Sequence, residues 1–198
     1  YKLSGTATDD ERKLMSDNIL KPIIYRIPWL IITIAGGILA SLIINSYSEK
    51  FNTNLFPLAL SLSFIPLLMG LGGNVGNQSS AIIVRGLATG YINPKESLKI
   101  LFREIVIGIG IGTIISIFLF IINRYIYSYP VIFSFIVTVS LFLNILVAAF
   151  IGTTLPLLFN KLKIDPAIAS APFISTTLDI IGQLIYFFIT ITSITYFL

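Results

Sequence analysis

The sequence predicts an all-α integral membrane protein with five transmembrane helices, and three observations carry that reading. Of its 198 residues 56% are hydrophobic, and mean hydropathy is +0.94. Charged residues make up 11%, and nine of the 22 charges fall within residues 1–26. Beyond residue 26 the chain runs through long stretches without charge. A helix in water needs a polar face, whereas a bilayer core of ~30 Å takes about 20 apolar residues of helix.

Composition also narrows the chemistry. There is no cysteine and no histidine, so thiolate and imidazole metal sites of the zinc, copper and iron kinds are not expected. A metal handled here would be met by oxygen, which suits magnesium, calcium or manganese. The formal charge of +4 reads as a topology signal, because the basic residues flank apolar runs, and no nucleic-acid partner is implied.

Residues 1–26 are expected to form a cytoplasmic amphipathic lead-in. Thr8 and Glu11 have the spacing of a capping box, and a short helix after them would turn Leu14, Met15, Ile19, Pro22 and Ile23 to one side. The bland reading is a helix lying on the membrane surface; the sharper one is a segment that regulates the cytoplasmic mouth. The linker-like start at Tyr1 is expected of a piece of something longer. Residues 27–198 are expected to form one five-helix domain, with spans near 27–44, 56–88, 105–122, 131–159 and 167–198. With the N-terminus cytoplasmic, eleven of the thirteen basic residues lie inside, and Lys50 and Arg124 lie outside. That asymmetry predicts a multi-pass protein of the cell membrane with its N-terminus in and its C-terminus out.

The information lies in the polar residues of the spans. In the fifth, Ser175, Asp179, Gln183, Tyr186, Thr190 and Ser193 step by three or four, so one helix face carries all six. Thr176 sits at the edge of that stripe. Asp179 is read as the one acid deep within a span. An aspartate there costs roughly 2.5–3.5 kcal/mol on insertion scales, so it is functional by default; the bland alternative is a hydrogen-bonded carboxyl that holds helices together.

The second span is interrupted by Gly70, Gly72, Gly73, Asn74, Gly76, Asn77, Gln78, Ser79 and Ser80. Ser63, Pro66, Gly70, Gly73, Asn77, Ala81 and Arg85 again step by three or four, which makes one face small or polar throughout. Such a face packs closely against another helix or lines a cavity. It is not a phosphate loop, because no lysine follows a GxxxxG pattern. Gly108 and Gly112 in the third span read as helix packing. Asn144 in the fourth has two readings, a group behind the site or an interhelical hydrogen bond. Asp165 and Pro166 are the expected N-cap and first residue of the fifth helix, and the acid also has a cation-attracting reading at the inner mouth.

Taken together these residues resemble the membrane domain of the MgtE family of magnesium channels. The stretch from Pro66 to Gly90, with GGNVGNQSS and then VRGLATG, is similar to that family's second transmembrane helix. Asp165-Pro166-Ala167, Ala171-Pro172-Phe173 and Thr176-Thr177-Leu178-Asp179 are similar to its fifth. The resemblance implies a homodimer with one pore on its twofold axis, walled by the second and fifth helices. Asp179 matches the acid that faces the ion, Ser175 a small position whose carbonyl helps line the site, and Gly70, Gly73 and Asn77 pore-lining positions. Asn74, Gln78 and Thr176 complete the candidate metal set. The transported ion is expected to be magnesium, with manganese, cobalt and calcium as alternatives, and neither an organic cofactor nor an enzymatic activity is expected. Family members usually carry cytoplasmic magnesium-sensing domains ahead of the membrane part, and by that resemblance residues 1–25 look like the connecting plug helix.

Rival classes fit the same residues. A proton- or sodium-coupled transporter would use the same polar helices. A protein of pure assembly function would tolerate loss of Asp179. An intramembrane protease would need two neighbouring carboxyls, but Asp165 and Asp179 stand ~21 Å apart along one helix at 1.5 Å per residue, which leaves only a dyad across a dimer axis.

Overall fold

Apolar runs without water to compete for the backbone fold as helices, and helices are what the chain forms. The computed structural model describes residues 18–48, 58–164 and 166–197, and among these there is no strand. The elements are α1 (Leu20–Ser48), a short α2 (Leu58–Ser63), α3 (Ile65–Ala88), a 3₁₀ turn (Pro94–Glu96), α4 (Ser97–Ile121) running into a π-helical turn (Ile122–Ile126), α5 (Val131–Lys161) and α6 (Pro166–Phe197). Thr8, Glu11 and the lead-in helix expected there lie outside the described residues, as does Asp165.

Among the described residues four helices are long and apolar enough to cross a membrane: α1, α4 with its flanking turns, α5 and α6. The expected second span differs. It is divided at Phe64 into α2 and α3, because Pro66 carries no N–H to continue the ladder and its ring crowds the carbonyl four residues back. Helix α3 has 24 residues, about 36 Å at 1.5 Å per residue, but its glycines and amides leave it less apolar than the other four.

Two further boundaries differ from expectation. Helix α1 starts at Leu20, where the side chain of Asn18 accepts from the Leu20 N–H at 3.0 Å. Helix α4 starts at Ser97, so Lys99, Arg103 and Glu104 lie inside it. Long basic side chains can run along an apolar helix and still reach water, which is why charge alone misplaces this end. Between α3 and α4 the chain turns at Gly90 with φ 72°, and the Ile92 N–H reaches back to the Gly86 carbonyl at 2.9 Å. Glycine is the residue that adopts that left-handed cap without strain.

Helix α5 forms the centre of the bundle. It is apolar all round and packs against α3, α4 and α6, while α1 packs chiefly on α6. Its Phe133, Val137, Leu141 and Ile145 join Leu68 of α3, Leu119 of α4 and Tyr186 and Phe187 of α6 in one core. A smaller cluster holds Ala148, Ile174 and Leu178. Some hydroxyls buried in these helices turn back on their own backbone, as Thr153 does to the Ala149 carbonyl and Thr190 to that of Tyr186, at 2.8 and 2.7 Å. This satisfies them without a partner helix.

Candidate functional site

Helix α3 presents two faces of opposite character. Leu68, Gly72, Gly76, Ser79, Ser80, Ile83 and Gly86 are buried. On the other side Pro66, Gly70, Asn74, Gln78, Ala81 and Arg85 are exposed, with Gly73 and Asn77 half-buried at its margin. The glycines divide in the same way. A Cβ at Gly72 would press on Asn144, and one at Gly76 would run into Leu178. A Cβ at Gly70 or Gly73 would meet none of the described residues within 4 Å. Packing inside the chain therefore accounts for the first pair and leaves the second pair unexplained.

Helix α6 reaches that open face near its first turns. Ser175 and Asp179 are half-buried, and the Asn77 side-chain amide donates to the Ser175 hydroxyl at 3.3 Å. The carbonyl oxygen of the Asn77 side chain is buried and has no partner among the described residues. No basic side chain among them pairs with Asp179; the ion pair they do form, Lys99 with Glu96, is at the helix end. Asn77 and Ser175 thus bring one amide acceptor and one hydroxyl together at the margin of the open face, and Asp179 sets a carboxylate one turn further along α6. All are hard oxygen donors of the kind that meet a hydrated divalent cation or its water shell.

The candidate residues do not all gather there. Asn77 and Ser175 meet where α3 crosses α6, with Asp179 one turn further along α6 and Gly70, Gly73, Asn74 and Gln78 along the same side of α3 as Asn77. Thr176 turns instead to α1, where a Cβ at Gly36 would run into its methyl group. The long α6 stripe also divides. Gln183, Tyr186 and Thr190 are buried: Gln183 reaches Met69 of α3 at 3.3 Å, and the Tyr186 hydroxyl donates to the Ser61 carbonyl at 2.8 Å. The stripe keeps its direction along the helix, but crossing helices cover different parts of it, so its second half lies in the core.

Sequence reasoning missed one acid. Glu104 is buried in α4, and the Ser79 hydroxyl donates to its carboxylate at 3.1 Å. It lies against the buried side of α3, away from Asn77 and Ser175. Its neighbours Lys99 and Arg103 made that stretch read as a loop; the signal available was the apolar i, i+3 and i+4 continuation through it.

Residues 65–189 match the model of the MgtE family, described as divalent cation transporters. The chain is 39% identical over 162 residues to the magnesium transporter MgtE of Bacillus subtilis, covering 82% of the chain and 35% of that protein. It is 32% identical over 195 residues to magnesium transporter MgtE of Thermus thermophilus, covering 93% of the chain and 42% of the relative. The corresponding protein of Enterococcus faecalis is 32% identical over 194 residues, with 98% and 42% covered. The chain therefore spans well under half the length of these relatives.

Proposed function

Because the chain belongs to the MgtE family of divalent cation transporters, we propose that it moves magnesium across the membrane through a channel-like pore walled by α3 and α6. In this reading α3, with α2 before it, is the second of five spans and α6 the fifth, the N-terminus is cytoplasmic, and two copies meet with their open α3 faces around a twofold axis. The observation that carries it is Asp179, without a basic partner among the described residues and one turn on from the Asn77–Ser175 contact, near a face whose Gly70 and Gly73 pack against none of those residues. Small residues on such a face let backbones approach and let carbonyls reach a water-filled path.

The chemistry suits magnesium. This ion sheds water reluctantly, so a few carboxylates acting through its hydration shell serve it better than a full protein cage. One Asp179 from each copy would offer two negative charges to one Mg²⁺, and the ion would relieve their mutual repulsion. The Asn77 and Ser175 oxygens, with backbone carbonyls near the glycines, would accept hydrogen bonds from its waters. Selectivity would then follow from the width of the path relative to a hydrated ion.

Reconstituting the 198-residue chain in liposomes with a magnesium gradient alone tests the channel reading. Uptake that needs no other gradient supports it. Uptake that waits for a proton or sodium gradient would assign the chain to coupled transport instead.

A further inference from the structure

Asn144 stands in the middle of α5 and is 1% exposed. Its Nδ2 donates to the Leu68 carbonyl of α3 at 2.6 Å. Only the nitrogen end can face a carbonyl, so the bond fixes the orientation of the amide. Its Oδ1 is buried and without a partner among the described residues.

The amide fills a slot between two glycines on two different helices. A Cβ on Gly72 of α3 would lie 2.7 Å from Nδ2, and one on Gly182 of α6 would lie 2.8 Å from Oδ1. At either distance a methyl group would force the amide to shift. One turn further along α3 the spacing changes: a Cβ on Gly152 of α5 would run into the carbonyl of Gly76, so there the two backbones touch directly. Helix α3 is therefore held off α5 by an amide at Gly72 and laid against it at Gly76. The contact is thicker at Gly72 than one turn on at Gly76, and the same amide bears on α6 three residues beyond Asp179.

A buried amide with an unmet acceptor is costly, and an apolar side chain of similar shape would avoid that cost. Stability alone therefore does not account for this group. We propose that Asn144 is a positioning residue that sets the separation of α3 and α6 at the level of Asp179, and with it the ion preference of the path. The proposal rests on the pore reading above. Asn144 lies behind the open face and touches no ion; it acts by holding the two walls apart.

Purified wild type, Asn144→Ala, Gly72→Ala, the Asn144→Ala/Gly72→Ala pair and Asp179→Asn, each reconstituted in liposomes, test it. The readout is the ratio of magnesium to calcium flux per folded protein, with thermal midpoints measured alongside. Asn144→Ala is expected to shift that ratio about threefold or more, the scale of one interhelical hydrogen bond in a membrane. Gly72→Ala is expected to shift it as well, by wedging α3 against the amide. The pair is expected to return toward wild type, because the alanine methyl occupies space the amide has left.

A wild-type ratio in both single variants would overturn the proposal, whatever their stability, and would leave Asn144 as a fastener. Single variants that shift the ratio and a pair that comes no closer to wild type would overturn it too. If Asn144→Ala does not fold, Gly72→Ala decides alone, since it keeps the amide and its bond: a shifted ratio supports the proposal and an unchanged one overturns it. Asp179→Asn separates the two levels. Undiminished flux in that variant would refute the pore reading itself, whereas collapsed flux with unchanged ratios elsewhere would refute only the role of Asn144.

Discussion

The side-chain amide of Asn77 donates to the hydroxyl of Ser175 at 3.3 Å, joining α3 to α6 one turn before Asp179. This contact brings the two polar segments of the chain to one place. Replacing Ser175 with alanine removes the acceptor and leaves the Asn77 amide free to turn. Magnesium flux per folded protein is expected to fall about threefold, the scale of an interhelical hydrogen bond. Flux in liposomes reads this directly, and the protein is expected to stay folded, because both side chains lie at the margin of the bundle.

Substitutions at the glycines of α3 should divide as the glycines do. Gly73→Leu is expected to abolish flux while leaving the thermal midpoint near wild type, since none of the described residues lies within 4 Å of a Cβ there. Gly76→Leu is expected to cost about 1–3 kcal/mol by overpacking against Leu178 and Ile174. Thermal melts in detergent, taken beside flux, separate the two effects.

The chain has no cysteine, so a single introduced thiol reports without background. Asn74→Cys, on the open face of α3, is expected to give a disulfide-linked dimer on mild oxidation in membranes. Phe118→Cys, on the outer surface of α4 where Phe118 is 62% exposed, is expected to remain monomeric. Equal cross-linking at both positions would mean that α3 does not face a second copy.

Ser79 and Glu104 provide a control from the opposite side of α3. Ser79→Ala removes the bond to the Glu104 carboxylate and is expected to destabilise the protein by about 1 kcal/mol. Magnesium flux per folded protein is expected to be unchanged, because neither group reaches the open face. A flux loss as large as that of Ser175→Ala would extend the ion path to α4.

Much of this was legible in residue order. Asp179 announced itself as an acid in an apolar run, and its spacing to Ser175 put both on one face. The polar interruption of the second span marked α3, and the period of its small residues identified the face that the structure leaves open. What spacing did not carry is which neighbour covers a face. Gln183, Tyr186 and Thr190 share their stripe with Asp179 but lie in the core, because α2 and the start of α3 cross over them. Thr176 is claimed by Gly36 of α1 for the same kind of reason. Glu104 was hidden by its charged neighbours, which resemble a loop until the helix is seen to begin at Ser97. The role of Asn144 depends on two glycines 110 positions apart in the chain, Gly72 and Gly182, which no local pattern connects.

The most direct measurement compares magnesium uptake by liposomes containing wild type with uptake by those containing Asp179→Asn, under a magnesium gradient alone. The substitution keeps the shape of the side chain and removes its charge. The account predicts passive uptake in wild type and its collapse, by tenfold or more (about 1.4 kcal/mol), in the variant. Equal uptake in the two would contradict it, because Asp179 would then serve the packing of α6 and the ion would pass elsewhere.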